Sequence, residues 1–374
     1  MRLLLMLAIL IVFFTTVTAQ KVFKDANGSY GLKDNNGKII LKPTYTFIRS
    51  FVDGFAAIAI NKYPNIKWSF INTKGQIITP FKYDKIDFFS EGLAVVKLNK
   101  LYSYINSLGK EVFGFIFLEA FGFHQNIAVV KNKNGKYGVI NKQGKTVVNY
   151  KYDNMNSHFT EGLAWVTLNN KVGFINAKGI EVAACIYDDA GNFNEGMAPV
   201  KQNGKWGFIN NKGKVVIPFQ YDVTSLNSFN NGLVKVKINE YYGFINKQGE
   251  EVIPFIYENV DDFSEGLAGF LKEGKYGFMD LTGKEIIKPI YKYTWGFNNG
   301  LAAVEVENEK KENKWGFINK KGILVIPALY SSILPQQNKH THKIIFGFYK
   351  NKAYVSLSDK NNFYINNKGL KISD

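Results

Sequence analysis

Lys205-Trp206-Gly207-Phe208-Ile209-Asn210, followed by Asn211-Lys212-Gly213 and then Lys214-Val215-Val216-Ile217-Pro218, is the stretch that decides the fold. Two short apolar segments flank a turn. Asn210 suits the first position of a type I turn, because its side chain can bond back to the turn backbone. Gly213 suits the closing position, where the chain needs positive φ. The reading is a β-hairpin. Pro218 ends the second strand, because proline has no N–H to give to a ladder.

Outward from this hairpin the same pattern returns along the chain. Tyr137-Gly138-Val139-Ile140-Asn141, Val172-Gly173-Phe174-Ile175-Asn176 and Tyr242-Gly243-Phe244-Ile245-Asn246 are close copies, and others start at Tyr276 and Trp315. Weaker copies start at Tyr30, Trp68 and Tyr102, and a degraded one ends in Phe363-Tyr364-Ile365-Asn366. From Tyr30 to Tyr276 the anchors are spaced by 38, 34, 35, 35, 34, 36 and 34 residues. A period this regular means one supersecondary unit per repeat. The Asn/Asp-x-x-Gly turn appears ten times, ending at Gly37, Gly75, Gly109, Gly144, Gly179, Gly213, Gly249, Gly283, Gly322 and Gly369.

After the Ile-Pro strand comes a tyrosine with an acid, as in Tyr83-Asp84, Tyr187-Asp188 and Tyr221-Asp222. A link then leads to Phe-x-Glu/Asn-Gly-Leu-Ala, with copies beginning at Phe89, Phe159, Phe193, Phe229, Phe263 and Phe297. A third strand with period-2 alternation follows, for example Leu233-Val234-Lys235-Val236-Lys237. Each unit therefore supplies about three antiparallel strands, and no stretch after the N-terminal segment has sustained helical periodicity. Gly in the anchor strand marks a bulge or a close approach by an aromatic ring. The expected fold is all-β: tandem repeats of roughly 35 residues, stacked as an open β-solenoid or superhelix. A β-propeller is the alternative, although its blades commonly take four strands over roughly 40–50 residues and number 4–8.

The motif at 205–210, with its Lys-Gly turn, Val-Ile-Pro strand and Tyr-Asp step, resembles the bacterial WG-repeat family. The resemblance spans residues 23 to 369, with Ser69 and Ser103 standing where two anchors should carry Gly. It implies a β-rich repeat protein, often exported or surface-associated, and it implies no catalytic residues.

The N-terminus reads as a secretory signal. Met1-Arg2 is a short positive segment, Leu3 to Phe14 is an unbroken apolar run, and Val17-Thr18-Ala19 offers small residues before a cut after Ala19. The expected organisation is a signal peptide over residues 1–19 and an array of about ten repeats over 20–374, the last two irregular. No later segment is apolar for the roughly 20 residues that a membrane span needs. The expected location is secreted, periplasmic or cell-surface. A single cysteine, Cys185, excludes an intramolecular disulfide; it holds a position otherwise Phe or Tyr and reads as a small core residue.

The formal charge is +16, and +15 once Arg2 is removed (16 − 1). The lysines do not form a run; they scatter through turns, as at Lys142, Lys178, Lys212, Lys247 and Lys320, which is the pattern of a solvated surface. Trp68, Trp206 and Trp315 share the anchor position with Tyr and Val and read as packing, which leaves Trp165 and Trp295 as the binding candidates. Glu91, Glu161, Glu195 and Glu265 recur at one repeat position, so they serve the unit, bonding turn backbone, and the Tyr-Asp acids have the same explanation. His340 and His342 alternate on a possible strand but lack the three or four ligands zinc takes; His124 and His158 look like isolated loop positions. No phosphate loop, nucleophile elbow or Cys/His zinc spacing is present.

No cofactor and no metal are expected. The expected function is a non-enzymatic scaffold that binds protein or cell-envelope glycan, with no nucleic-acid partner. The alternatives are a glycan-active enzyme on a propeller-like ring and an anionic-polymer-binding protein.

Overall fold

The computed structural model describes residues 20–224, 229–307, 311–337, 344–358 and 361–372. The proposed signal segment and the His340/His342 pair lie outside them. Every regular element among the described residues is a β-strand. The chain divides into two compact units, one holding residues 20–158 with 177–179, the other 159–176 with 180–372.

In the second unit one sheet stands for the rest. Its strands are Asp189–Ala190, Met197–Gln202, Lys205–Asn210 and Val215–Tyr221, in that order and antiparallel throughout. The same four-strand order recurs at 223–257, 259–291 and 293–330, and in the first unit at 119–152. The three strands read from the sequence are all present. The fourth is a two-residue strand directly after the Tyr-Asp step, separated from the preceding strand by one residue. Each sheet therefore begins at the Tyr-Asp step, about half a period away from the anchor. This up-and-down sheet is of the kind that forms a propeller blade.

Physical necessity is visible at each sequence signal. Asn210 Oδ1 accepts from the N–H groups of Lys212 and Lys214 at 3.0 and 3.1 Å, and Gly213 has φ of 76°. The same bracket forms at Asp34, Asn72, Asn106, Asn141, Asn246, Asp280, Asn319 and Asn366. Gly207 lies where the register between the anchor and Ile-Pro strands shifts. A Cβ there would stand 2.6 Å from the Ile217 carbonyl and 3.1 Å from the Phe219 ring, so bulge and close approach coincide. Where Gly is replaced, Ser69 is fully buried and bonds Thr79, whereas the buried Ser103 hydroxyl has no partner among the described residues.

The core lies between successive sheets. Trp206, Phe208, Ile217 and Tyr221 of one sheet pack on Phe229, Val234, Val236 and Ile245 of the next. Gly207 and Ile209 face the other way, and Ile209 joins the preceding cluster with Phe174, Tyr187 and Phe193. Both faces of the anchor strand are thus buried, and this accounts for its unbroken apolar run. The Phe of each link sets its ring edge against the anchor Phe of the repeat before: Phe193 on Phe174 at 5.0 Å, Phe229 on Phe208 at 5.2 Å, Phe297 on Phe278 at 4.9 Å. Each such ring adds about 1.5–3 kcal/mol by burial.

In the second and third units the last strand is reduced to isolated bridges, Trp68–Tyr83 and Ile71–Ile77 in one, Tyr102–Phe117 and Ile105–Glu111 in the other. At the other end, Ser332–Ile333, Lys352–Ser356, Asn362–Asn366 and Lys371–Ile372 form an irregular final sheet.

Candidate functional site

The positions of the repeat whose residue type recurs most often have a framework task in the structure. Glu91, Glu161, Glu195 and Glu265 all have φ of 51–52° in two-residue hairpin turns completed by Gly. Their carboxylates accept from the turn backbone of the next repeat, not of their own: Glu91 from Asn126 at 2.9 Å, Glu161 from Gly196 at 2.9 Å, Glu195 from Gly232 at 3.0 Å, and Glu265 from Gly300 at 3.1 Å. A lysine from the repeat beyond closes the latch, Lys142 on Glu91, Lys247 on Glu195 and Lys320 on Glu265, at 3.1–3.3 Å. Partial burial works against ionisation of Glu91 and Glu195, but lysine and turn N–H together outweigh it and hold both carboxyls below the usual range.

The Tyr-Asp acids are equally committed. Asp84, Asp153, Asp188 and Asp222 pair with the lysine that precedes each anchor, Lys67, Lys136, Lys171 and Lys205. Asp84 and Asp222 also accept from the turn N–H groups of Asn99 and Asn239. The lysine hydrogen bond is the main reason that Asp84, Asp188 and Asp222 sit below the ordinary carboxylate range.

One line of positions escapes this uniformity. In several repeats the residue after the two-residue strand keeps the ladder going: its N–H donates to the carbonyl of the third position in the adjacent strand. Arg49 bonds Ala57 at 2.8 Å, Phe121 bonds Val129 at 3.1 Å, Gly191 bonds Pro199 at 3.0 Å, Asp261 bonds Gly269 at 2.8 Å and Trp295 bonds Ala303 at 2.9 Å. The backbone task is constant, yet the side chains are Arg, Phe, Gly, Asp and Trp. The partner position is as varied, with Trp165 and Lys235 at its equivalents on Leu163–Leu168 and Leu233–Ile238.

In the first unit this line carries Arg49, whose guanidinium lies 4.5 Å from the Trp68 ring and 5.8 Å from Phe88, with Asp87 as its carboxylate neighbour. His124 and His158 are not isolated from one another: their rings meet edge to face at 5.2 Å, and Ser157 Oγ bonds His158 Nδ1 at 2.7 Å. Partial burial and the second imidazole lower the His158 pKa, with Asp87 opposing them.

In the second unit the line carries Asp261 and Trp295 on neighbouring repeats. Trp295 is half-buried; Phe346 stacks on it at 4.1 Å and 7°, and Tyr293 meets it edge-on at 5.4 Å. Tyr293 is 39% exposed. Trp165 is also half-buried, packed on the cluster of Phe174 and Val172.

Close to Tyr293, Gly269 leaves the place of its side chain to two polar groups. A Cβ on this glycine would fall 2.5 Å from Asp261 Oδ2 and 3.2 Å from Thr294 Oγ1. Thr294 is 2% exposed, and its hydroxyl has no hydrogen-bond partner among the described residues. Lys235 Nζ reaches across from the preceding repeat to the Val260 carbonyl at 3.1 Å and Asp262 at 3.2 Å. Desolvation pushes the Asp261 carboxyl up to about 6; Lys235 pulls it down and Asp262 adds to the rise. Asp261, Thr294 and Gly269 carry no local sequence motif; what marks Asp261 and Gly269 is that the repeats disagree at their positions.

Fold and site together define an all-β tandem-repeat protein in which a recurring framework holds dissimilar residues at one equivalent position of its repeats. Nine consecutive segments, residues 30–63, 68–102, 102–137, 137–171, 173–206, 206–242, 242–276, 276–310 and 315–336, match the WG containing repeat, and the chain belongs to that family. No curated protein matches it. Among solved structures it is similar to the eukaryotic initiation factor, with 11% identity, a TM-score of 0.43, and 82% of this chain and 94% of that one covered. It is also similar to BamB from Moraxella catarrhalis (10%, TM-score 0.31, 76% and 92% covered) and to the WD40 beta propeller domain of Doa1 (9%, TM-score 0.26, 61% and 89% covered).

Proposed function

We propose that this protein is an exported, non-enzymatic binding scaffold that contacts a protein or a cell-envelope glycan through residues at the positions where its repeats differ. The observation that carries the reading is the division of labour along the repeat. Positions that recur are consumed by turns, latches and core, while Arg49, Phe121, Gly191, Asp261 and Trp295 share one backbone role and no chemistry. Framework positions need uniformity, because every sheet must fit the next; a recognition surface needs variety, because it must fit one partner. Export rests on the Leu3 to Phe14 apolar run and the small residues before Gln20.

One observation weighs against a glycosidase at the recurring glutamates: it would need a carboxyl held protonated near neutrality, yet lysine and turn N–H groups hold the Glu91 and Glu195 carboxyls below the usual range. The test is a binding screen of residues 20–374 against envelope glycans, polyanions and envelope proteins at low and moderate salt. Binding of a defined glycan or protein that survives moderate salt is the expected result. Binding confined to polyanions and abolished by salt sinks the proposal.

A further inference from the structure

We infer that His124 and His158 form a two-histidine surface site for a divalent transition-metal ion, held across one repeat boundary of the first unit. The inference goes beyond the scaffold reading above and does not depend on it.

The framework itself brings these two positions together. His124 follows the link residue Phe123, and His158 precedes the next link residue, Phe159. One boundary earlier the equivalent residues are Ser90 and Gly122, and a Cβ on Gly122 would stand 3.7 Å from Ser90 Cβ. In the second unit they are Ser264 and Gly296, where the same measure is 3.8 Å. The backbone therefore sets the adjacency, and the side chains decide what it holds. The chain has four histidines, and two of them fill one such pair. His124 is fixed by a reciprocal backbone pair with Ile127, at 2.8 and 3.1 Å. His158 Nδ1 is engaged by Ser157 Oγ at 2.7 Å, which leaves Nε2 for a metal.

The ring geometry fits a shared ion. With metal–nitrogen bonds of about 2.0–2.1 Å, two imidazoles at neighbouring corners of one ion have centroids about 4.5–5.2 Å apart. The two rings here stand 5.2 Å apart with 68° between their planes. Both side chains are exposed, so the rings can turn onto an ion without leaving a packed core. A metal needs the imidazoles neutral, and partial burial together with the second imidazole holds His158 below its ordinary value. Asp87 opposes that shift, so a carboxylate lies within electrostatic reach and adds its attraction for a cation. No third His, Cys, Asp or Glu joins the pair in a ligating group among the described residues, so water completes the coordination. Two imidazoles without a thiolate suit copper, nickel or zinc, and copper(II) binds tightest in that series. With two protein ligands the ion exchanges readily, unlike the zinc of four-ligand structural sites.

The test titrates copper(II) chloride into the chain over residues 20–374 in a non-coordinating buffer near neutral pH. Binding is read by calorimetry and ligation by electron paramagnetic resonance. H124N and H158N are compared with the double variant H340N/H342N, which removes the other two histidines. Asparagine stands at the equivalent positions in another repeat, as Asn194 and Asn192, so the fold accepts it there. The expected result is one saturable copper ion with imidazole nitrogen coupling. It is bound about tenfold or more weakly in each single variant and unchanged in the double variant, with unfolding still cooperative throughout. Copper binding that H124N and H158N leave intact, or that H340N/H342N abolishes, overturns the site. Absence of nitrogen-coordinated copper in the unaltered chain overturns it as well.

Discussion

Asp261 holds its charge at a cost to the folded state, and that cost is measurable. With the carboxyl raised to about 6 from 3.8, the folded protein binds the proton more tightly than the unfolded chain between these values. Stability therefore falls as pH rises from about 4 to 6 and stays reduced above. The full shift corresponds to at most about 3 kcal/mol, and partial exposure brings it to about 1–2 kcal/mol. D261N should raise urea-unfolding stability by this amount at pH 7.5 and leave it unchanged at pH 3.5. A loss of stability at pH 7.5 would mean that the carboxylate is a structural partner, not an uncompensated charge. The sequence exposed this site only in part. Trp295 was legible because it lies off the anchor. Its half-buried state was not, because the ring that covers it, Phe346, arrives from an irregular segment 51 positions further on (346 − 295). His124 and His158 read as separate loop residues for the same reason: proximity across a repeat boundary leaves no mark in either local sequence.

At the scale of the strand and turn, two kinds of glycine demand can be separated. Gly54 has φ of 82° and open space around its would-be Cβ, so G54A incurs only the left-handed backbone penalty, about 1–2 kcal/mol. Gly213 has φ of 76°, and a Cβ there would stand 2.0 Å from the Val182 carbonyl of the preceding repeat. G213A should therefore cost at least about 2 kcal/mol more than G54A in denaturant unfolding. Equal costs would show that the turn does not bear on the strand before it. Gly109 sits in the same way on the Ile78 carbonyl at 2.0 Å, whereas Gly249, Gly283, Gly322 and Gly369 meet only the side chains of Ile217, Ile253, Ile287 and Ile326, at 3.1–3.5 Å. The hairpins were legible because Asn-x-x-Gly is a local device whose bonds stay within five residues. The stacking of turn on strand was not, since positive φ alone already explains the glycine. The two-residue strand was hidden too: it is too short to alternate, and a single residue parts it from the strand before.

Across the molecule, stability is carried by interfaces between repeats, and the glutamate latch is their polar component. Glu195 joins Gly232 of the next repeat and Lys247 of the one after, so E195A removes a bond that spans three repeats. The expected loss is about 1–2 kcal/mol at pH 7. Because the folded-state pKa is depressed, that contribution is present above the unfolded carboxyl pKa and is lost as pH falls through the folded value; the penalty should vanish in strong acid. E240A is the control, because Glu240 is 88% exposed and its bond to Lys237 is local. Its effect should be near zero. A similar cost for both variants would remove the latch from the account. The recurrence of Glu was legible, and so was its bond to turn backbone. The identity of the partner was not, because a period of one repeat cannot tell a residue's own turn from the next one.

The half-period offset between anchor and sheet bears on how such a chain can lengthen. A copied segment running from one anchor to the next contains no whole sheet. It carries the closing strands of one sheet and the opening strands of another, and each half is completed by material already flanking the insertion point. Duplication in that phase adds a full sheet while leaving no unpaired hydrogen-bonding edge at either junction, so growth by copying is nearly free of aggregation risk. The residue after the short strand falls in the interior of the copied segment, away from both junctions, and is free to drift once the copy is made. The array can in this way acquire new surface chemistry one period at a time, without renegotiating the contacts that keep it folded.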